Sequence, residues 1–196
     1  MPVIKKPKKL LGAFWVRKFI SILEIIFDDT DILVFDGDGG CIDTSTPSSE
    51  SQFGRRVDIF VSVGEQEDLI SLASFETKRE DTVVGAQICQ QAKNHRTNAE
   101  TLNGFNYLLQ GNTSNFIYVD LVGPSGCMVQ VRRHGDYFIC QSLGGFHIPT
   151  EMVELDFLEN FLTMFVHLKK ALKKTVVTPK ESGSESVNPI NIYHSP

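Results

Sequence analysis

The hydrophobic period of this chain changes twice between residues 56 and 123, and that change leaves few folds open. "RVDIFVSV" (56–63) and "LISLASFE" (69–76) read as strands, and "GEQED" (64–68) between them reads as a turn. Together they predict a hairpin. Residues 82–110 then take up a helical period, with Val84, Ile88, Ala92, Ala99 and Leu102 along one face. "NFIYVDLVG" (115–123) is a strand again, and its continuous apolar stretch suits burial on both faces. Strands that cover both faces with apolar groups need helices packed on them, so the expected class is mixed α/β.

The flanks extend the same plan. Residues 10–29 carry apolar side chains at 11, 14, 15, 19, 22, 23, 26 and 27, a helical stripe that the acids at 28–29 with Thr30 are expected to end. "DILVF" (31–35) is a short strand before the turn signal "DGDGG", and residues 43–54 are a polar loop. Residues 127–143 predict a hairpin around "HGD". Residues 151–174 predict an amphipathic helix whose lysines suit its C-terminal end. The expected organisation is a basic tail (1–9), one domain (10–174) and a disordered tail (175–196) without a core-forming pattern.

Charge narrows the function classes. The chain has 196 residues and a net charge of −5, so no overall basic field draws it to nucleic acid or membrane. The ends are nevertheless basic: Lys5, Lys6, Lys8, Lys9, Arg17 and Lys18 at one, Lys169, Lys170, Lys173 and Lys174 at the other. Such ends suit local phosphate contacts. No apolar run approaches the ~18 residues of a membrane span, and no secretory signal is evident, so an intracellular protein with no membrane contact is expected. "KKPKK" (5–9) is a candidate nuclear import signal, or else a solvated tail. The four cysteines form no CxxC, and "DGDGGCID" lacks the twelfth-position Glu of a calcium loop. No phosphate-binding GxxxxGK[ST] loop is present.

The residues with the most chemical content are in "FETKRE" (75–80). On a strand, residues i and i+2 share a face, so Glu76 and Lys78 project together. Asp58 on the neighbouring strand supplies a second carboxylate if the hairpin pairs them, which needs its strands to be skewed or bulged. Carboxylate oxygens suit a hard cation such as Mg²⁺, and a lysine beside them can position water or offset transition-state charge. The blander alternative is a charged strand exit, with Asp58 guarding an edge.

An acid on one strand followed by Glu-x-Lys on the next resembles the PD-(D/E)xK nuclease superfamily. The match lies in Asp58 of "RRVDIF" and Glu76 and Lys78 of "FETKRE", with Val57 where the motif name has proline. The resemblance implies a restriction-endonuclease-like αβββαβ core, here with an added hairpin and C-terminal helix. It also implies Mg²⁺ or Mn²⁺ held by Asp58 and Glu76, a catalytic Lys78, and DNA or RNA as substrate. The first helix of this superfamily often contributes an acid, which implies Glu24 as a further metal ligand. A glutamine on the helix after the motif frames the site in RecB-like members, a role for Gln87 or Gln91. Residues 53–172 also resemble a set of uncharacterised fungal proteins that carry G-R-x-x-D, E-x-K and QQxKNxRxN.

Two further observations stand on the residues alone. Gln87, Gln91, Asn94 and Asn98 are spaced as one helical stripe, with Lys93 and Arg96 beside it as substrate-binding candidates. Amides there are better suited to orienting phosphates or carboxylates than to cheap surface ion pairs. Glu24 lies within "SILEIIF", where a buried unpaired carboxylate would be costly. The competing function is a catalytically inactive module that keeps the fold and acts through protein or nucleic-acid contacts.

Overall fold

The computed structural model describes residues 12–37, 57–65, 69–108 and 115–182. The basic tail, the "KKPKK" segment, the 43–54 loop and the end of the C-terminal tail lie outside the described residues.

Helix α1 (Gly12–Phe27) buries Trp15, Phe19, Leu23 and Phe27, one residue per turn. Thr30 ends it as expected: its backbone N–H and its hydroxyl both donate to the Phe27 carbonyl. The hydroxyl oxygen then accepts from the Ile32 N–H, which leads the chain into β1 (Ile32–Asp36). Strands β2 (Ile59–Val63) and β3 (Ile70–Lys78) form the expected antiparallel pair. Helix α2 (Val84–Leu108) follows and returns the chain to β4 (Asn115–Val122), which runs parallel to β3. Strands β5 (Ser125–His134) and β6 (Tyr137–His147) complete a six-stranded sheet in the order β1-β2-β3-β4-β5-β6. Every pairing but β3–β4 is antiparallel. A parallel pair needs a long crossover, which α2 provides.

The period of β4 sorts its side chains onto two buried faces. Phe116, Tyr118 and Asp120 face α2, while Val119 and Leu121 face the other layer. That second layer is α1 with α3 (Leu158–Ser182), which meet through Phe19 and Phe165, with Phe146 of β6 against both. Phe161, Phe165, Leu168 and Leu172 are the buried stripe of α3. Each such side chain contributes roughly 1.5–3 kcal/mol of hydrophobic free energy. Two boundaries differ from expectation. A 3-10 helix (Met152–Phe157) precedes α3, and α3 continues to Ser182, past the tail boundary expected at 174. Among the described residues no helix is long and apolar enough to cross a membrane.

One backbone contact fixes the entry to β2. The Gly37 N–H donates to the Asp58 carbonyl at 2.9 Å, and a Cβ on Gly37 would fall 1.6 Å from the Val57 carbonyl oxygen. Backbone on both sides leaves nothing that can rotate away. Gly37→Ala is expected to cost about 1–3 kcal/mol, the range for overpacking. Urea unfolding reads this directly, and an unchanged midpoint would mean that the turn is free to shift.

Candidate functional site

The strand register brings chemistry-bearing residues into one row. Glu76 of β3 is level with Asp120 of β4, and Asp120 is level with Cys127 of β5. Ile59 of β2 is opposite Phe75, so continuing that register by one residue sets Asp58 opposite Glu76. Level residues on neighbouring strands share a face. The row Glu76–Asp120–Cys127 therefore crosses β3, β4 and β5 on the side covered by α2, with Asp58, just before β2, beside Glu76. It sits at the C-terminal end of the parallel pair, and Lys78 is two residues further along β3.

Both central carboxylates are buried, Glu76 at 2% and Asp120 at 6% exposure. Helix α2 holds Glu76 from above. Lys93 Nζ lies 2.6 Å from Glu76 Oε1, and the Gln90 side-chain amide donates to Oε2. Asn94 Nδ2 donates to Asp120 Oδ1 at 2.5 Å. Among the described residues the second oxygen, Asp120 Oδ2, has no hydrogen-bond partner, and His95 Nε2 stands 3.7 Å from it. Burial raises the pKa of Glu76, with the Lys93 ammonium opposing and the charge of Asp58 adding to the rise. Burial likewise raises Asp120 to about 6, against the hydrogen bond from Asn94 and with help from the Glu76 charge. Burial lowers the pKa of His95, which leaves its imidazole mainly neutral at pH 7.

The buried carboxylates open on a pocket of about 140 Å³, lined by Glu76, Lys78, Gln87, Gln90, Gln91 and Asp120 among others. Asp58 sits beside it with its Oδ2 accepting the Thr77 backbone N–H at 2.7 Å. The expected stripe on α2 divides in two. Gln87 and Gln91 line the pocket, while Asn94 and Asn98 are wholly buried beneath it.

Several expectations need correction. Glu24 is exposed, because Leu23 and Phe27 take the inward positions of α1 and residue 24 turns outward. Moreover, α1 packs on the face of the sheet away from α2, so Glu24 is not brought to Glu76. Arg96 is exposed and does not line the pocket. Lys93, expected to meet substrate, is paired with Glu76 instead. It is Gln90, one position before Gln91, that touches the carboxylate. Asp120 was not anticipated, although its signal is in the sequence: a carboxylate inside "IYVDLV", a strand read as buried on both faces.

The donor chemistry fits a hard divalent cation. Glu76 is flanked by a carboxylate on either side, and one buried oxygen of Asp120 lacks a hydrogen bond. Mg²⁺ commonly takes one or two carboxylates and keeps its remaining waters. Among the described residues, no three His, Cys, Asp or Glu side chains group closely enough to hold a metal ion. Waters or substrate oxygens would therefore complete any such coordination. Compared with protein-family models, curated proteins and solved structures, the chain matches none.

Proposed function

We propose that this chain is a divalent-cation-dependent nuclease, hydrolysing phosphodiesters at the pocket between β3, β4 and α2. The carrying observation is the placement of Glu76 and Lys78 on one face at the C-terminal end of the parallel pair, with Asp58 and Asp120 level with Glu76 on either side. The order α1-β1-β2-β3-α2-β4 supports the αβββαβ reading of the sequence. Glu76 with one flanking carboxylate would hold Mg²⁺ or Mn²⁺. Such an ion, when bound, polarises a phosphoryl oxygen and supplies a water of lowered pKa. Lys78 lines the pocket two residues beyond Glu76, where its ammonium can orient the attacking water and offset charge on the phosphoryl oxygens. Gln91 offers an amide donor to the same oxygens, while the Gln87 amide already donates to the Thr82 carbonyl at 2.8 Å and has one N–H left for them. Lys93 favours the ionised form of Glu76, the form a cation needs.

The test is cleavage of plasmid DNA and of RNA with Mn²⁺, comparing wild type, Lys78→Ala and Glu76→Gln. Wild type is expected to cut at least one substrate, and both variants are expected to fall to background. Wild-type cleavage that survives both substitutions would remove this pocket as the active site.

One observation favours the second reading, a fold-retaining binding module. Glu76 already has the Lys93 ammonium on one oxygen and the Gln90 amide on the other. A carboxylate satisfied by its own protein needs no external cation. A folded wild type that cuts neither substrate would put this reading first.

A further inference from the structure

The cation reading leaves two candidates for the carboxylate that partners Glu76, and the structure separates them. We infer that Asp120 on β4 is the second cation ligand, and that Asp58 instead positions the end of β3; the inference rests on the cation reading of this pocket.

Asp58 and Asp120 are both level with Glu76 and each has one oxygen in a hydrogen bond, but only Asp120 lines the pocket. Asp58 Oδ2 is engaged by the Thr77 N–H, the backbone group between Glu76 and Lys78. A charged acceptor on a backbone N–H is among the stronger hydrogen bonds. It fixes the strand segment that aims both side chains. Asp58 is also not among the residues lining the pocket.

Asp120 lines the pocket with its side chain more than nine-tenths buried, and its Oδ2 accepts no hydrogen bond from the described residues. Buried polar atoms without partners are rare, and a missing ion is one recognised explanation. His95 does not fill the role: Nε2 is 3.7 Å away, beyond hydrogen-bond reach. The other oxygen is held by Asn94, as ligating carboxylates commonly are by outer partners. Asn94 is itself fixed, because its Oδ1 accepts from the Ser74 hydroxyl at 3.1 Å and from Asn98 Nδ2 at 2.8 Å. The Asp120 carboxylate therefore has a fixed orientation before any ion arrives.

The test is Mn²⁺ binding by the full chain at pH 8 after chelator treatment, read by calorimetry and by the shift in melting temperature. Wild type, Glu76→Gln, Asp120→Asn and Asp58→Asn are compared, with circular dichroism to confirm folding. Glu76→Gln and Asp120→Asn are expected to weaken Mn²⁺ by more than the roughly 10–100-fold that loss of an outer-shell partner costs. Asp58→Asn removes a residue that aims Glu76, so it is expected to weaken Mn²⁺ by no more than that outer-shell cost while melting lower without metal. Asp120→Glu retains the charge but moves it by one methylene, so a changed Mn²⁺ affinity there supports direct ligation. Wild-type affinity in Asp120→Asn, or an equal loss in Asp58→Asn, overturns the inference and leaves the cation reading standing. No Mn²⁺ binding by the wild type overturns both.

Discussion

Replacing Asn98 with alanine is expected to lower stability by about 3–5 kcal/mol, a large effect for one exchange of polar side chain for methyl. Strands β3 and β4 pair only over Glu76–Lys78 and Asp120–Val122. Before that point, among the described residues, the backbone of β3 has no strand partner on its β4 side. Asn98 stands in for one: its Oδ1 accepts the Ser74 N–H and its Nδ2 donates to the Ser74 carbonyl, each at 2.9 Å. Asn94 does the same for β4 by donating to the Val119 carbonyl at 3.2 Å. Both asparagines are fully buried, so no water replaces them when one is cut back. Alanine would leave a buried N–H and a buried C=O unsatisfied, at about 1–3 kcal/mol each, and would open a small void. Asn94 would also lose a donor to its Oδ1, loosening its hold on Asp120. Urea unfolding of Asn98→Ala measures the cost. A loss below about 0.5 kcal/mol, the level of an ordinary surface change, would show that the strands close up without the asparagine.

Local period carried much of this plan, and long-range register carried the remainder. The β2–β3 hairpin, the helix after it and the doubly buried β4 were legible because each rests on spacing within one segment. So was the shared face of Glu76 and Lys78. The reading of Glu24 failed for a physical reason. A carboxylate among apolar neighbours is costly only if it is buried, and a step of one residue on a helix turns it ~100° out of the stripe. The same rotation separates Gln90, which meets Glu76, from Gln91, which does not. Asn94 and Asn98 were legible as a stripe but not as a substitute for strand pairing, since the gap they fill depends on where two distant strands diverge. Asp120 meets Glu76 only through the β3–β4 register, which the spacing of either segment does not specify.

Asp120→Asn is expected to make the metal-free protein more stable at pH 8, by up to about 3 kcal/mol. Burial raises the Asp120 pKa from 3.8 to about 6. At ~1.4 kcal/mol per pH unit, that rise corresponds to about 3 kcal/mol. The native state holds this proton more tightly than the unfolded chain, so its stability falls as pH rises. Below pH 3.8 both states are protonated and there is no penalty; between 3.8 and about 6 the penalty grows; above about 6 it is complete. Asparagine carries no titrating charge, is nearly the same shape, and keeps an oxygen for Asn94. The difference in melting temperature should therefore be small near pH 3.5 and should level off above pH 6.5. For a chain of this size the plateau corresponds to roughly 6–12 °C. Glu76 is raised in the same direction, so the two carboxylates titrate as a pair, and the profile is broader than that of one group. Mn²⁺ should reverse the ranking, because a ligand bound only by the native state stabilises the wild type and not the variant. Such a reversal is what a site selected for binding, at the expense of stability, should show. A variant that melts below the wild type at pH 8 without metal would mean that the Asp120 charge is already compensated within the protein. The row across the sheet would then be a structural network, with no cation needed to complete it.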